Sequence, residues 1–264
     1  MTDVTNSPPH SAAIPSGVAL PQSLSITTIV ADEPVIHKIT VLPFDQSRGF
    51  SIPSSAHSLE GFRDWAESDS FPDRGRIAFA AGEIIIDMSP ELFETHNFIK
   101  VEVGFVLYGL IRPKRLGLFF GDRARFTNEK AEISTEPDAI YVSNTSIQAG
   151  RCKLMQSTRS GINKELVGSP DWILEIVSPT SIKKDKEILR EAYFRAGVSE
   201  YWLIDALGDE IEFQILIPNS DGFISVRPTN GWLSSPTFGC SFRLTREKGE
   251  DGFRQYTLHT QENS

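Results

Sequence analysis

Residues 170–178, PDWILEIVS, constrain the fold most, because one carboxylate, Glu175, interrupts the apolar run from Trp172 to Val177. A strand of this composition is typically buried on both faces of a sheet. The following segment, SIKKDKEILREAYFRAGV, has helical spacing and ends at Gly197, and EYWLID then provides a second buried strand. Strand, helix and strand joined by short links predict a β-α-β unit within an α/β domain.

Further elements are predicted on both sides of this unit. Ser58 can cap a helix, the apolar runs on either side of Ala81 and Gly82 predict a β-hairpin, and residues 94–111 have the spacing of an amphipathic helix. EPDAIYVS predicts a strand that opens with Pro137 and Asp138. After Asp205, short apolar runs separated by Pro, Asn and Gly predict an antiparallel extension. The expected fold is therefore α/β, with a mixed β-sheet flanked by helices and a β-rich C-terminal extension.

The 264 residues divide into three predicted parts. Residues 1–55 are rich in Ser, Pro and Thr, which predicts a disordered N-terminal tail. Residues 56–248 form one domain, and residues 249–264 are expected to be a polar C-terminal tail. No run approaches the ~18 apolar residues that cross a bilayer, so no membrane partner is expected. The two cysteines provide no disulfide framework, which favours a cytoplasmic protein.

The formal net charge of −9 limits the functions that the chain can have. A protein that holds DNA through bulk charge is usually basic, so constitutive non-specific DNA binding is disfavoured. The charge does not exclude a nuclease, because carboxylates that surround a divalent cation are themselves acidic.

Asp138 and Glu175 are the strongest candidates for chemistry. An ionised carboxylate in a buried strand is costly unless it is paired or binds a metal. Two carboxylates at neighbouring strand ends suit Mg²⁺ or Mn²⁺, which activates water for phosphodiester hydrolysis. The alternative is that Glu175 pairs with a Lys or Arg at the sheet edge.

Three sequence blocks resemble the Uma2 family, a branch of the PD-(D/E)XK nucleases. They are Pro137-Asp138, the Glu-x-x-Ser run from Glu175, and YFRAGVSEYW from Tyr193, with GEIIIDMSP and His96 as weaker matches upstream. The resemblance covers residues 58–245. It implies a restriction-endonuclease-like domain that hydrolyses DNA with Mg²⁺ or Mn²⁺, with Asp138 and Glu175 as metal ligands and a lysine that stabilises charge on the phosphate.

The position of that lysine departs from the family. Val177 and Leu189 occupy the two places where relatives carry it. The remaining candidates are Lys183, Lys184 and Lys186. Lys184 is preferred because it adjoins Asp185, which matches a family aspartate. The alternative is that these lysines form a solvated basic face.

Several other residues have two interpretations. His96 is a proton carrier or a structural histidine, and Glu83 either reaches the metal or shares a solvated strand face with Asp87, for which the structural role is preferred. Three aromatic residues stack on bases or pack in the core: Tyr193, Tyr201 and Trp202. Five basic residues are candidates for DNA contact: Arg112, Lys114, Arg115, Arg123 and Arg125.

The sequence thus predicts a magnesium-dependent endodeoxyribonuclease with DNA as its substrate. The main alternative is a catalytically silent nuclease fold that binds nucleic acid or a protein partner, and a hydrolase of another phosphoester is a third. Exposed apolar strands in the C-terminal part would suit a homodimer.

Overall fold

A computed structural model describes residues 24–25, 39–41, 51–157 and 160–263. The predicted N-terminal tail, residues 1–55, therefore lies largely outside the described residues. Within the described ranges, no helix is both long and apolar enough to cross a membrane.

Four α-helices and seventeen strands make up the described chain. The helices are α1 (Leu59–Ala66), α2 (Phe98–Lys114), α3 (Asn144–Gln148) and α4 (Leu189–Arg195). Wide π-helical turns precede α2 and α4, at Phe93–Asn97 and Lys184–Ile188. The strands are β1 (Leu24–Ser25), β2 (Ile39–Val41), β3 (Arg76–Ala80), β4 (Glu83–Asp87), β5 (Gly117–Phe120), β6 (Arg125–Asn128), β7 (Ile133–Thr135), β8 (Ala139–Ser143), β9 (Cys152–Gln156), β10 (Asn163–Gly168), β11 (Trp172–Ile176), β12 (Glu200–Asp205), β13 (Glu212–Pro218), β14 (Phe223–Ser225), β15 (Leu233–Ser235), β16 (Cys240–Lys248) and β17 (Arg254–Glu262).

The predicted β-α-β unit lies in the middle of a six-stranded sheet with the order β14-β13-β12-β11-β8-β5. β11 and β12 are parallel and are joined by α4, while β8 pairs with β11 on its other side in antiparallel register. Every residue of β11 is buried, as its apolar sequence predicts. The mixed α/β fold expected from the sequence is confirmed.

The upstream elements agree with their sequence patterns. The Ser58 side chain caps α1 by accepting a hydrogen bond from the Gly61 amide. β3 and β4 form the predicted hairpin, with Ala81 and Gly82 at φ 53° and 74° in its turn. This hairpin belongs to a second sheet, in the order β1-β2-β4-β3-β7-β6-β10-β9. α2 packs against the six-stranded sheet through Ile99, Val103, Leu107 and Ile111.

The prediction of a polar C-terminal tail over residues 249–264 was wrong for the described part of that segment. Instead of a loose polar tail, the chain forms β17, which pairs with β16 in a third sheet, of order β15-β16-β17. Tyr256 and Leu258 are two residues apart, so both side chains face one side of the strand, where they are buried next to α2. The Leu258 amide also donates to Glu102 Oε1 at 2.8 Å. Two large apolar side chains on one face thus outweigh the polar composition of the segment.

Candidate active site

Two adjacent strands place Asp138 beside Glu175. Ala139 pairs with Leu174 in the antiparallel register of β8 and β11, and each carboxylate lies one residue beyond that pair. The Ile176 amide donates to Asp138 Oδ2 at 2.7 Å, and the Asp138 amide donates to the Leu174 carbonyl at 3.1 Å. Asp138 is 0% exposed and Glu175 1%, so the sheet holds both acids in the interior.

Three cationic or ionisable side chains surround the Asp138 carboxylate. Arg76 Nη1 lies 2.9 Å and Lys100 Nζ 3.3 Å from Oδ1, while His96 Nε2 lies 3.3 Å from Oδ2. Burial alone would raise the pKa of Asp138, but the His96 hydrogen bond and the charges of His96, Arg76 and Lys100 outweigh burial and lower the pKa far below its ordinary value. Asp138 is therefore ionised throughout the physiological range.

A second layer of acids holds these groups in place. Glu91 Oε1 lies 2.7 Å from His96 Nδ1 and 2.6 Å from Lys100 Nζ. Asp122 Oδ1 lies 3.4 Å from both Lys100 and Arg76. Because both ring nitrogens of His96 face carboxylate oxygens, a doubly protonated ring can donate to each of them. Acidic and basic side chains thus alternate in this network, from the buried Asp138 outward to Glu91 and Asp122 near the surface.

Glu175 has a different environment. Its Oε1 accepts a hydrogen bond from the Tyr193 hydroxyl at 2.5 Å, whereas its buried Oε2 has no hydrogen-bond partner among the described residues. Burial raises the pKa of Glu175 to about 8; the charges of Asp185 and Asp138 add to that rise, and the charge of Lys184 opposes it. Glu175 therefore carries a proton at neutral pH when no further cation is present.

Lys184 is brought next to these acids. Its Nζ lies 2.9 Å from Asp185 Oδ1, and its side chain is only 11% exposed. Asp185 also accepts a hydrogen bond from the Ser181 hydroxyl. Burial lowers the pKa of Lys184, but the charges of Asp185 and Glu175 outweigh burial and raise it, so Lys184 remains charged. The alternative of a solvated basic face is wrong for this residue.

The other two lysines of the segment point elsewhere. Lys183 is exposed. Lys186 Nζ lies 2.8 Å from both Asp205 and Glu212 at the edge of the sheet. The structure therefore brings together Asp138, Glu175 and Lys184, and of the three lysines it places Lys184 among the buried acids.

Of the remaining candidates from the sequence, the structure places only His96 in the site. His96 belongs to the site, in the wide turn before α2. In the register of the hairpin, Asp87 is opposite Arg76 at the end near the site, and Glu83 is opposite Ala80 at the other end. Glu83 therefore lies about four strand residues, or ~13 Å, from the site. The Asp87 carboxylate instead accepts hydrogen bonds from Ser89 and Thr180, a structural role. All three aromatic candidates are fully buried, which contradicts base stacking: Tyr193, Tyr201 and Trp202.

The basic residues proposed for DNA contact do not form one patch. The Arg125 guanidinium lies beneath the surface, 2.7 Å from Glu136 and over the Phe71 ring. Arg112, Lys114 and Arg115 are exposed at the far end of α2, about 16 residues, or ~24 Å, from His96.

Sequence reasoning missed Arg76 and Lys100. A signal for Lys100 exists, because it lies four residues after His96 and therefore on the same side of the helix. No local pattern marks Arg76, which reaches Asp138 only because β3 ends beside it.

The donor set fits Mg²⁺ or Mn²⁺ in part. Among the described residues, no group of three or more His, Cys, Asp and Glu side chains forms a ready-made metal site. Mg²⁺, however, commonly uses only one or two carboxylates, together with waters and substrate phosphates. Asp138 and Glu175 can supply that pair, and the unpartnered Glu175 Oε2 is an oxygen free to bind a cation.

Comparison with known proteins identifies a family and a neighbour with a similar fold. The family model Uma2, described as putative restriction endonuclease, matches residues 59–246. A solved structure of a putative nuclease belonging to DUF820 from Anabaena variabilis is 21% identical, with a TM-score of 0.50 over 69% of this chain and 90% of that chain. At that identity the likeness concerns the fold alone. No curated protein matches the chain.

Proposed function

The chain belongs to the Uma2 family, and we propose that it is a metal-dependent endonuclease that hydrolyses DNA phosphodiester bonds. The main support for this proposal is that Asp138, Glu175 and Lys184 lie in one buried cluster at the ends of β8 and β11. The free thiols of Cys152 and Cys240 accord with the cytoplasmic location expected from the sequence.

Asp138 and Glu175 would hold Mg²⁺ or Mn²⁺ in this proposal. A bound ion of this kind polarises the phosphate and lowers the pKa of an attacking water. Arg76, His96 and Lys100 keep Asp138 ionised and oriented. Glu175 presents its unpartnered oxygen next to Asp138, held by the Tyr193 hydroxyl on the other oxygen.

Lys184 supplies the positive charge that the family places elsewhere. Hydrolysis builds negative charge on the phosphate oxygens, and a fixed ammonium stabilises that charge without reorganising. Asp185 fixes the Lys184 ammonium at 2.9 Å, and the interior position keeps water from screening it. Lys184 can therefore stabilise this charge, although Val177 and Leu189 occupy the positions where the family carries its lysine.

Cleavage of supercoiled plasmid DNA with Mg²⁺ or Mn²⁺ tests the proposal, with wild type beside Glu175→Gln. Wild type should nick or linearise the plasmid. The variant should lose activity by about 1000-fold, the scale of several kcal/mol that metal-assisted charge stabilisation provides. Equal cleavage by both proteins would contradict the assigned roles, and an inactive wild type would contradict the activity.

One observation favours a catalytically silent protein instead. Both oxygens of Asp138 already have nitrogen partners, Arg76 and Lys100 on one and His96 and the Ile176 amide on the other. A protein of this kind would bind nucleic acid or a protein partner without cutting.

Calorimetry with Mn²⁺ separates the two functions. The nuclease should bind Mn²⁺, and both Asp138→Asn and Glu175→Gln should abolish that binding, since no substrate phosphate is present in this experiment and the two carboxylates together form the proposed site. Unchanged Mn²⁺ binding in both variants would remove the proposed site, whereas a wild type that binds no Mn²⁺ would favour the silent alternative.

A further inference from the structure

Helix α2 is apolar on two opposite sides. The inner side packs on the sheet. The other side has Phe98, Val101, Phe105 and Tyr108, which are 40%, 63%, 77% and 48% exposed; we call these four residues the outer stripe. At 3.6 residues per turn, the outer stripe lies about half a turn round from the buried side. A helix that covers a sheet normally carries polar residues there, so the fold itself does not account for the outer stripe.

Two glycines flank the outer stripe. A Cβ atom added at Gly104 or Gly109 would meet nothing within 4 Å in the described part of the chain. Glycine destabilises a helix interior relative to alanine, and its usual benefit is the close approach of another group. The missing side chains leave an apolar groove beside Phe105, also lined by Tyr108 and Phe119. Nothing described within the chain uses that groove.

We propose that the outer stripe is a homodimer interface in which α2 packs antiparallel to α2 of a second copy of this chain. Phe105 of each copy would enter the groove beside Gly104 and Gly109 of the other. A two-fold interface requires one surface to be complementary to itself. The outer stripe meets that requirement, because a projecting aromatic ring and a groove lie next to each other on the same helix.

The available area agrees with a dimer. The outer stripe exposes on the order of 400 Å², if an aromatic side chain presents ~200 Å². One partner in a standard interface buries ~800 Å². Apolar residues next to the two ends of α2 add to this exposed area: Leu92, Phe93 and Leu116.

The chemistry of the surface favours a protein partner over nucleic acid. Surfaces that bind single strands combine aromatic rings with cationic side chains that follow the phosphates. Of the residues that line the groove, Arg112 alone is charged. The sequence pointed to C-terminal strands for a homodimer, whereas the largest exposed apolar side chains cluster on α2.

The interface would leave the site of each copy free. His96 and Lys100 contact Asp138 from the inner side of the helix, away from Phe105. The proposal therefore does not rest on the nuclease function, and oligomeric state can be measured without an activity assay.

Sedimentation equilibrium of the full chain at micromolar concentrations tests the proposal. Wild type should be dimeric. Phe105→Glu should weaken association by about 100-fold or more, because it would bury an unpaired charge in the centre of the interface. Ile224→Glu makes the same change at a 46% exposed residue of the edge strand β14, and it should remain dimeric. A monomeric wild type, a dimeric Phe105→Glu, or dissociation by Ile224→Glu would each overturn the proposal.

Gly104→Leu provides a second variant whose folding is not at risk. Its Cβ atom would enter open space in the isolated chain, and leucine has a higher helix propensity than glycine, so the melting temperature of the monomer should not fall. In the dimer the same side chain blocks the close approach of the helices and should weaken association at least 10-fold. Association at wild-type strength would count against the antiparallel packing at Gly104.

Discussion

Asp138 and Glu175 lie on adjacent strands and are equally buried, yet their ionisation is opposite. Asp138 has Arg76, Lys100 and His96 around it, and its pKa falls far below the ordinary value despite its burial. The main cation near Glu175 is Lys184, which also pairs with Asp185, and burial raises the pKa of Glu175 to about 8. We refer to these two surroundings as the Asp138 region and the Glu175 region.

The comparison shows that the balance of neighbouring charges, and not burial, decides which acid is ionised. Burial disfavours the charged form of both. Arg76, Lys100 and the hydrogen bond from His96 overcome this effect of burial at Asp138. Lys184 does not overcome it at Glu175. The Glu175 region is thus the half of the site that is short of positive charge, and a divalent cation would supply that charge.

Replacing Lys184 should cause the largest loss of stability, because the Glu175 region would lose its main cation. In Lys184→Ala, DNA cleavage should fall by about 100-fold, the scale of one lost charge-stabilising group. The free energy of unfolding should also fall, by about 3–5 kcal/mol, since the buried Asp185 is left without its ion-pair partner. Plasmid cleavage and urea denaturation measure the two effects.

Lys183→Ala is the matched control, one residue away and exposed. It should cleave like wild type and unfold within about 0.5 kcal/mol of it. If Lys183→Ala loses activity and Lys184→Ala does not, the lysine has been assigned wrongly. If Lys183→Ala, Lys184→Ala, Lys186→Ala and the triple variant all keep full activity, the lysine-assisted mechanism is wrong.

Asp138→Asn should cause the next largest loss of stability, about 3 kcal/mol in unfolding free energy at pH 7. The amide cannot balance Arg76, Lys100 and His96, although Glu91 and Asp122 still pair with these groups and limit the loss. The stability that ionised Asp138 provides is present above its unfolded-state pKa and is lost as pH falls through its lowered folded-state pKa. If Asp138→Asn is as stable as wild type at pH 7, the neighbouring basic side chains do not need the Asp138 charge to be stable in the folded protein.

Glu175→Gln should change stability in the opposite direction. The pKa of Glu175 rises from 4.5 to about 8 on folding. Because the pKa is raised, the contribution of Glu175 to folding stability is fully present below pH 4.5 and is lost as pH increases toward 8. Glutamine has no proton to lose, so the metal-free variant should be more stable than wild type by about 4 kcal/mol at pH 8 and similar to it at pH 4.

Unfolding curves at several pH values, recorded in chelator, measure this difference. Equal pH dependence in wild type and Glu175→Gln would indicate that Glu175 is already ionised in the folded protein. In that case the contrast between the two regions would disappear.

Lys186→Ala should have the smallest effect. Lys186 is the lysine of the segment that pairs at the sheet edge, 2.8 Å from Asp205 and Glu212, with a side chain 31% exposed. Partly exposed ion pairs contribute at most about 1 kcal/mol. Thermal denaturation should show a shift of a few degrees at most, with unchanged cleavage. A loss as large as that of Lys184→Ala would mean that the surface pair supports the site.

Sequence reasoning succeeded where the determinants are local. The β3–β4 hairpin, the Ser58 cap and the β11–α4–β12 unit depend on turn residues, a capping side chain and apolar spacing, which short segments encode. The sequence also singled out Lys184, whose position relative to Glu175 is set by one short connection; its role in cleavage stays a prediction. Residues 254–262 were misjudged, since their mean polarity concealed the alternation of Tyr256 and Leu258.

By itself, the sequence determined the α/β fold, the family and the pair of acids that face each other across two strands. The tertiary structure alone decided the charge on each acid. Arg76 comes from β3, His96 from the wide turn before α2 and Lys100 from the first turn of α2, so their contacts with Asp138 span 62, 42 and 38 positions of the chain. Electrostatic effects depend on distance in space and on exclusion of water, and neither can be read from spacing along the chain.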